Sequence, residues 1–505
     1  MRNAVLWTSR IAPITGRTKM GRCSIAMVAQ TLARLEVIRQ IHPKVDGWRR
    51  KKKNLSSGAN RPVSRQNMEG HLMNDMKNQS CATFQWVLSG LLWLLLLNSC
   101  SWEKHLATRA RAHAFIVYWP PPTESRQLRL AVKDNIDVKG VVTTAGSAYL
   151  ASTSPPAARD AKCLALARER HVPIVGKTNL TELAVTVSGN NSHFGTPRNR
   201  WNGKTEVIPG GSSSGSAVAV KTGMVDVALG TDTAGSIRVP AACCGIYGLK
   251  TTYGLVSTQG VVPISPRNLD TVGPMAKDIP HLVKGMDLLQ RGFAARYERA
   301  AAAKPSPRQI KIGRLYLDGT DPAIDSAIDA VLVAKGFKIY RLSRAFKAQW
   351  EQAQKDGKVV AAADAWISDR QYGDKKGVNF ITKAVFALGE IEYKANNYTE
   401  ALKRRPGWQR TLLEAFKKMD FIAVPTLQNL PPKFPFWGTT VVFELRVFNM
   451  QNTVGVNLAG NPALALPVPL PAQGKTVPVT SLQLVGPPLS EAELLNAGRL
   501  FETKH

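Results

Sequence analysis

The chain has 505 residues, of which 44% are hydrophobic, with six cysteines and a formal charge of +31. That length holds one large domain or about two to three ordinary ones, and the hydrophobic share is that of a globular protein rather than a disordered chain. Cys23, Cys81, Cys100, Cys163, Cys243 and Cys244 form no metal-ligand spacing, which excludes a zinc module and, in so long a chain, a disulfide scaffold.

Residues 1–75 carry fifteen basic residues against four acidic ones, including the run Arg49-Arg-Lys-Lys-Lys53, and show no core pattern. They read as a solvated basic extension. The positive charge continues through 101–505 and reads as a basic surface. No nucleic-acid motif accompanies it, so no nucleic-acid partner is expected. Residues 76–100 differ: Met76-Lys-Asn-Gln-Ser80 precedes an apolar run, Val87–Leu97, and then Asn98-Ser-Cys100. A run of about eleven residues is short for a membrane span and fits the core of a signal peptide. Leu97-Asn-Ser-Cys100 is similar to a bacterial lipoprotein cleavage box. The expectation is translation from Met76 or Met73, with 1–75 as upstream sequence, then export to the bacterial cell envelope, either membrane-attached through a lipid on Cys100 or periplasmic. The alternative is a cytoplasmic protein in which the run is a buried helix. A mitochondrial presequence in 1–40 would leave both the run and Cys100 unexplained. The domain is assigned to 101–505, its first residues, 101–127 with Pro120-Pro-Pro122, reading as a linker.

From residue 128 apolar strands alternate with helical spacing. Leu128–Val138 reads as a strand with Lys133 near its end, Ala157–Arg170 as a helix and Val172–Val175 as a second strand ending at Gly176. This alternation predicts a parallel α/β core. Val218–Leu229 reads as a short helix followed by a buried strand, and the Ala-rich 296–310, with Pro305 and Pro307, as a loop. Residues 311–430 alternate charged helical stretches and carry no motif of their own.

Two turns flank Val218–Leu229: Gly210-Gly-Ser-Ser-Ser-Gly-Ser-Ala217 and Gly230-Thr-Asp-Thr-Ala-Gly-Ser-Ile-Arg-Val-Pro240. Small residues let backbone N–H groups approach a ligand, and each turn presents a serine. A serine hydroxyl is a weak nucleophile until a base takes its proton. Lys133 qualifies as that base only if burial lowers its pKa, and its flanks, Leu128–Val132 and Ile136, are apolar enough to do so.

These segments resemble the amidase signature family of serine hydrolases. The matching blocks are Ala131-Val-Lys-Asp-Asn135, Gly176-Lys-Thr-Asn179, Gly210-Gly-Ser-Ser213, Gly230-Thr-Asp232, Gly235-Ser-Ile-Arg238 and Leu269-Asp-Thr-Val-Gly-Pro274. Asp420-Phe-Ile-Ala-Val-Pro-Thr426 and Asn457-Leu-Ala-Gly-Asn-Pro-Ala463 are similar to later family blocks. The resemblance implies an α/β fold, a mixed central sheet covered by helices. It implies amide hydrolysis through Ser236 as nucleophile, Ser212 as bridging serine and Lys133 as base. Backbone N–H groups of Thr233, Ala234, Gly235 and Ser236 would form the oxyanion hole. It implies a small-molecule amide substrate and neither metal nor cofactor. Two other outcomes stay open: the glutaminase-type subunit of a glutamyl-tRNA amidotransferase, and a non-catalytic binding protein derived from an amidase.

Competing readings attach to the same residues. Ser212 and Ser236 could cap the helices that follow them. Gly211-Ser-Ser-Ser-Gly215 fits a nucleophile elbow centred on Ser213, but only His281 and His505 follow as histidines. Gly176-Lys-Thr178 lacks the upstream glycine of a phosphate-binding loop, since His171 stands there. Asp232 and Arg238 are expected to pair as scaffolding, Cys243 and Cys244 to pack as small apolar residues, and His193 to be a packed loop histidine. The chain departs from the family pattern at Ser214, Ala234 and Arg200, and its segment before Lys133 is short.

Overall fold

The computed structural model describes residues 113–121, 127–201, 205–435, 438–471 and 477–502. The basic extension, the signal-like segment and Cys100 lie outside the described residues. In chain order the strands are β1 (Phe115–Tyr118), β2 (Leu130–Lys133), β3 (Ile174–Thr178), β4 (Asn199–Trp201), β5 (Thr205–Val207), β6 (Val227–Asp232), β7 (Tyr247–Lys250), β8 (Thr271–Ala276), β9 (Lys311–Arg314), β10 (Lys338–Arg341), β11 (Phe421–Pro425), β12 (Ala463–Pro469) and β13 (Val479–Val485). Eleven of them form one sheet in the order β1-β3-β2-β6-β8-β7-β12-β13-β11-β9-β10, and β4 pairs with β5 separately.

The sheet is mixed, as the resemblance implies. β2 runs parallel to both β3 and β6, and β9 parallel to β10 and β11. The remaining pairings in the large sheet are antiparallel. The parallel core expected from the alternating pattern is therefore real around β2, β3 and β6. It ends where β8 pairs antiparallel with β6.

Both faces of the sheet are covered, which is why its central strands read as unbroken apolar runs. Side chains alternate across a strand, and β11 shows the result. Phe421 and Ala423 pack with helices Ile279–Leu289, Pro322–Lys335 and Glu491–Phe501. Ile422 and Val424 pack with helices Arg344–Asp369 and Asn397–Phe416.

Several elements differ from expectation for physical reasons. Within the proposed linker, Phe115-Ile-Val-Tyr118 forms edge strand β1 against β3, as its aromatic and β-branched residues favour. β3 runs on through Gly176 to Thr178. The helix expected over Ala157–Arg170 is shorter, a 3₁₀ turn at Lys162–Leu164 followed by Ala165–Glu169. The stretch read as a loop holds most of helix Phe293–Ala303, because alanine is the best helix former; Pro305 and Pro307 mark its end. The charged stretch 311–430 contributes β9, β10 and β11 as well as helices.

Candidate active site

β2 delivers Lys133. Leu130 and Val132 face one apolar cluster and Ala131 the other, which includes helix Ser214–Lys221. Lys133 alternates to the side of Ala131, toward that helix and the turn before it. It is fully buried. Its Nζ donates to Ser212 Oγ at 2.7 Å and to Thr231 Oγ1 at 2.7 Å. Asn135 Nδ2 also donates to Thr231 Oγ1, at 3.1 Å. Burial lowers the Lys133 pKa to about 7, against the upward pull of the Asp232 and Asp270 carboxylates.

A lowered pKa alone does not single out Lys133. Burial also brings Lys250 to about 7, but its Nζ donates to two backbone carbonyls, Thr251 O at 2.9 Å and Asn461 O at 2.8 Å. Lys177 is buried in an ion pair with Asp134, Nζ to Oδ1 2.8 Å, so the Gly176-Lys-Thr178 motif is scaffold. Of these three, Lys133 is the one bonded to a serine.

The Gly210–Ser213 turn holds Ser212 fully buried, with a cis peptide between Gly211 and Ser212. Ser213 ties this turn to the next: its N–H donates to Ser236 O at 3.2 Å and its Oγ to Thr231 O at 3.3 Å. The caps of the two following helices are Ser213 and Ile237, so neither Ser212 nor Ser236 is a helix cap. The elbow arrangement is not assembled either. Ser213 Oγ is bonded to a carbonyl, and His281 Nδ1 lies 2.7 Å from its own N-cap residue, Asp278.

The 232–238 turn is built around the Asp232 carboxylate. It accepts from Gly235 N at 2.9 Å, Ile237 N at 3.1 Å, Arg238 Nε at 3.0 Å, Arg238 Nη2 at 2.9 Å and Asn457 Nδ2 at 2.8 Å. Burial, the largest single influence, would raise its pKa, but the Arg238 charge and hydrogen bonds, the Lys250 charge and the Asn457 hydrogen bond together outweigh it and hold the carboxyl well below the usual range. Arg238 also donates to Gln483 Oε1 at 2.6 Å and to Thr453 O at 3.0 Å. The pair is scaffolding, as expected. Thr233 Oγ1 donates to Asp270 at 2.6 Å and Thr453 Oγ1 to Ala234 O at 2.6 Å.

This network bears on the backbone donors named for the oxyanion hole. The Gly235 N–H is engaged by Asp232 inside the turn, and Gly235 does not line the adjoining pocket. Thr233, Ala234 and Ser236 do line it, and its volume is about 110 Å³. Ser236 is 6% exposed. Among the described residues no hydrogen bond joins Ser236 Oγ to Ser212 Oγ, so only the Lys133–Ser212 half of the expected relay is bonded in this structure.

Three contributors escaped the sequence reading. Asp270, read only as part of a block, anchors Thr233. Thr231 shares the lysine. Gln451 is 2% exposed with neither amide atom hydrogen-bonded, and its Oε1 would lie 2.8 Å from a Cβ placed on Gly235. The Gly-Thr-Asp block was the available signal for Thr231; none existed for Gln451. His193 is exposed against Phe194 and lines a neighbouring cavity with Glu182 rather than the Ser236 pocket. Cys243 and Cys244 are buried, and burial pushes the Cys244 thiol up to about 12. Among the described residues no group of three or more metal-ligating side chains converges, and no helix is long and apolar enough to cross a membrane.

Known proteins share this arrangement of elements. A family model described as Amidase matches residues 128–495. The chain is 33% identical over 411 residues to a glutamyl-tRNA(Gln) amidotransferase subunit from Sulfolobus acidocaldarius, covering 74% of this chain and 84% of that protein. It is 32% identical over 411 residues to the subunit of the same name from Thermus thermophilus, covering 74% and 84%. The crystal structure of the Thermotoga maritima subunit superposes with a TM-score of 0.63 at 27% identity, over 80% of this chain and 90% of that one. All three names carry a tRNA, which runs against the expectation of no nucleic-acid partner.

Proposed function

Because the chain belongs to the amidase family, we propose that it hydrolyses the C–N bond of a carboxylic amide with Ser236 as nucleophile, Ser212 as relay and Lys133 as base. The observation that carries this reading is the buried 2.7 Å contact between Lys133 Nζ and Ser212 Oγ. A neutral lysine there accepts the Ser212 proton while Ser212 takes that of Ser236. Ser236 Oγ attacks the amide carbon, and the backbone N–H groups of Thr233, Ala234 and Ser236 serve as donors to the developing oxyanion; each such donor matters at the level of about 100- to 1000-fold in rate. The relay returns a proton to the leaving nitrogen, ammonia or an amine departs, and water then hydrolyses the acyl-enzyme. Ser236→Ala and Lys133→Ala each abolish hydrolysis in a folded protein. Ser212→Ala leaves a small residue of activity, since water replaces the relay, and Ser213→Ala is milder than any of these. Activity retained by Ser236→Ala and lost in Ser213→Ala would overturn the assignment.

A second reading is favoured by the relatives: a glutaminase-type subunit of a glutamyl-tRNA amidotransferase, cytoplasmic and working with partner subunits. Glutaminase activity that rises when partner subunits are added supports it over a free-standing amidase. A non-catalytic role is disfavoured by the presence together of Lys133, Ser212 and Ser236. The envelope location rests on Met76–Cys100 alone; the cytoplasmic alternative goes with the amidotransferase-subunit reading.

A further inference from the structure

The pocket that Ser236 lines is mainly apolar. Ala361 and Ala365, one turn apart on helix Arg344–Asp369, leave room where larger side chains would close it. Ile381, Val385 and Leu388 follow at helical spacing on helix Phe380–Lys394. Leu388 is 39% exposed, as is Leu445 to 43% on helix Val441–Asn449, so these two stand where the cavity meets solvent.

One ionisable side chain, Glu444, belongs to the lining, and its carboxylate is already occupied. Its Oε2 accepts from Val187 N at 3.1 Å and Ser188 N at 3.0 Å, and its Oε1 accepts from Ser188 Oγ. A substrate ammonium or carboxylate entering this cavity would lose its water without gaining an open charged partner among the described lining residues, which is costly. Each buried methylene, by contrast, is favourable.

Resting on the amidase reading above, we propose that the acyl part of the substrate is uncharged and apolar, several carbons long, and lies along this cavity from Ser236 to Leu388 and Leu445. The pocket then selects against amides whose acyl part is zwitterionic, glutamine included.

The test is kcat/KM of the full-length chain for acetamide, butanamide, hexanamide and glutamine. The expected result is a rise of about fourfold per added methylene, the equivalent of about 0.8 kcal/mol each, with glutamine below hexanamide. Leu388→Asp, at a half-exposed position, lowers the hexanamide-to-acetamide ratio at least tenfold. Leu445→Asp, on a different helix, does the same and covers the case in which the first variant fails to fold. Glutamine or acetamide preferred over hexanamide, or a ratio unchanged in both variants, overturns this inference and leaves the amidase reading standing. Hydrolysis of none of the four amides overturns the amidase reading and this inference with it.

Discussion

Lys133 carries a cost that its proposed role explains. Burial lowers its pKa to about 7, whereas an unfolded lysine stays charged to about 10.5. The penalty is therefore full below pH 7 and fades as pH rises toward 10.5. Lys133→Met is expected to raise unfolding free energy at pH 6 by a few kcal/mol, up to about 5, while abolishing activity; denaturant titration checks this. For the unaltered enzyme, kcat/KM rises with pH through about 7 and then levels, following the neutral lysine. An activity that falls between pH 6 and 8 contradicts the base assignment. Asp369 behaves in the opposite sense. Burial, reinforced by the Asp270 carboxylate, pushes it up to about 8, and its Oδ2 has no hydrogen-bond partner. Its contribution is full below the unfolded carboxyl's pKa of 3.8 and is lost as pH rises through about 8. Asp369→Asn is expected to flatten the decline in stability between pH 4 and 8, read from denaturant midpoints across that range.

The 232–238 turn is the element on which the site depends. Gly235 adopts φ 133°, a conformation that L side chains rarely adopt, and a Cβ there would crowd Thr453 Oγ1 and Gln451 Oε1. Gly235→Ala is expected to lower kcat at least a hundredfold with a smaller effect on KM, because the nucleophile and the oxyanion donors share that backbone. Arg238→Met leaves the Asp232 charge buried without its partner and should cost about 3–5 kcal/mol. A melting temperature within a degree of the unaltered protein would contradict the scaffolding role. Much of this turn was legible, since glycine and serine in close succession constrain backbone geometry locally. Its supports were not. Asn457, Gln483 and Thr453 bond Arg238 from more than 200 positions away in sequence. Local spacing carries no information about such contacts.

Across the whole molecule, two questions of scale separate. The eleven-stranded sheet joins segments from Phe115 to Val485 into one hydrogen-bonded framework, so no short fragment around the two serine turns is complete. The proposed export rests on residues before that framework. Expression in a bacterium from Met76, followed by fractionation, distinguishes the two readings. The export reading expects the protein with membranes, and Cys100→Ala shifts it to the soluble fraction or leaves the signal uncleaved, since two or more acyl chains hold a protein firmly where one does not. Intact peptides spanning residues 60–110 in mass spectra of the native protein contradict both cleavage before Cys100 and a start at Met76.

The sequence by itself determined the α/β class, the strand that carries Lys133, the two serine turns and the Asp232–Arg238 pair. Each is encoded within a few consecutive residues, where side-chain size and backbone freedom act directly. Only the tertiary structure decided which lysine meets a serine, that the Gly235 N–H is taken by Asp232, and that Asp270 and Gln451 stand beside the 232–238 turn. It alone assembled the apolar wall from helices Arg344–Asp369, Phe380–Lys394 and Val441–Asn449. Apolar periodicity states that a helix face is buried. What that face is buried against is settled by the packing of elements distant in sequence, and the pocket that Ser236 lines consists of such contacts.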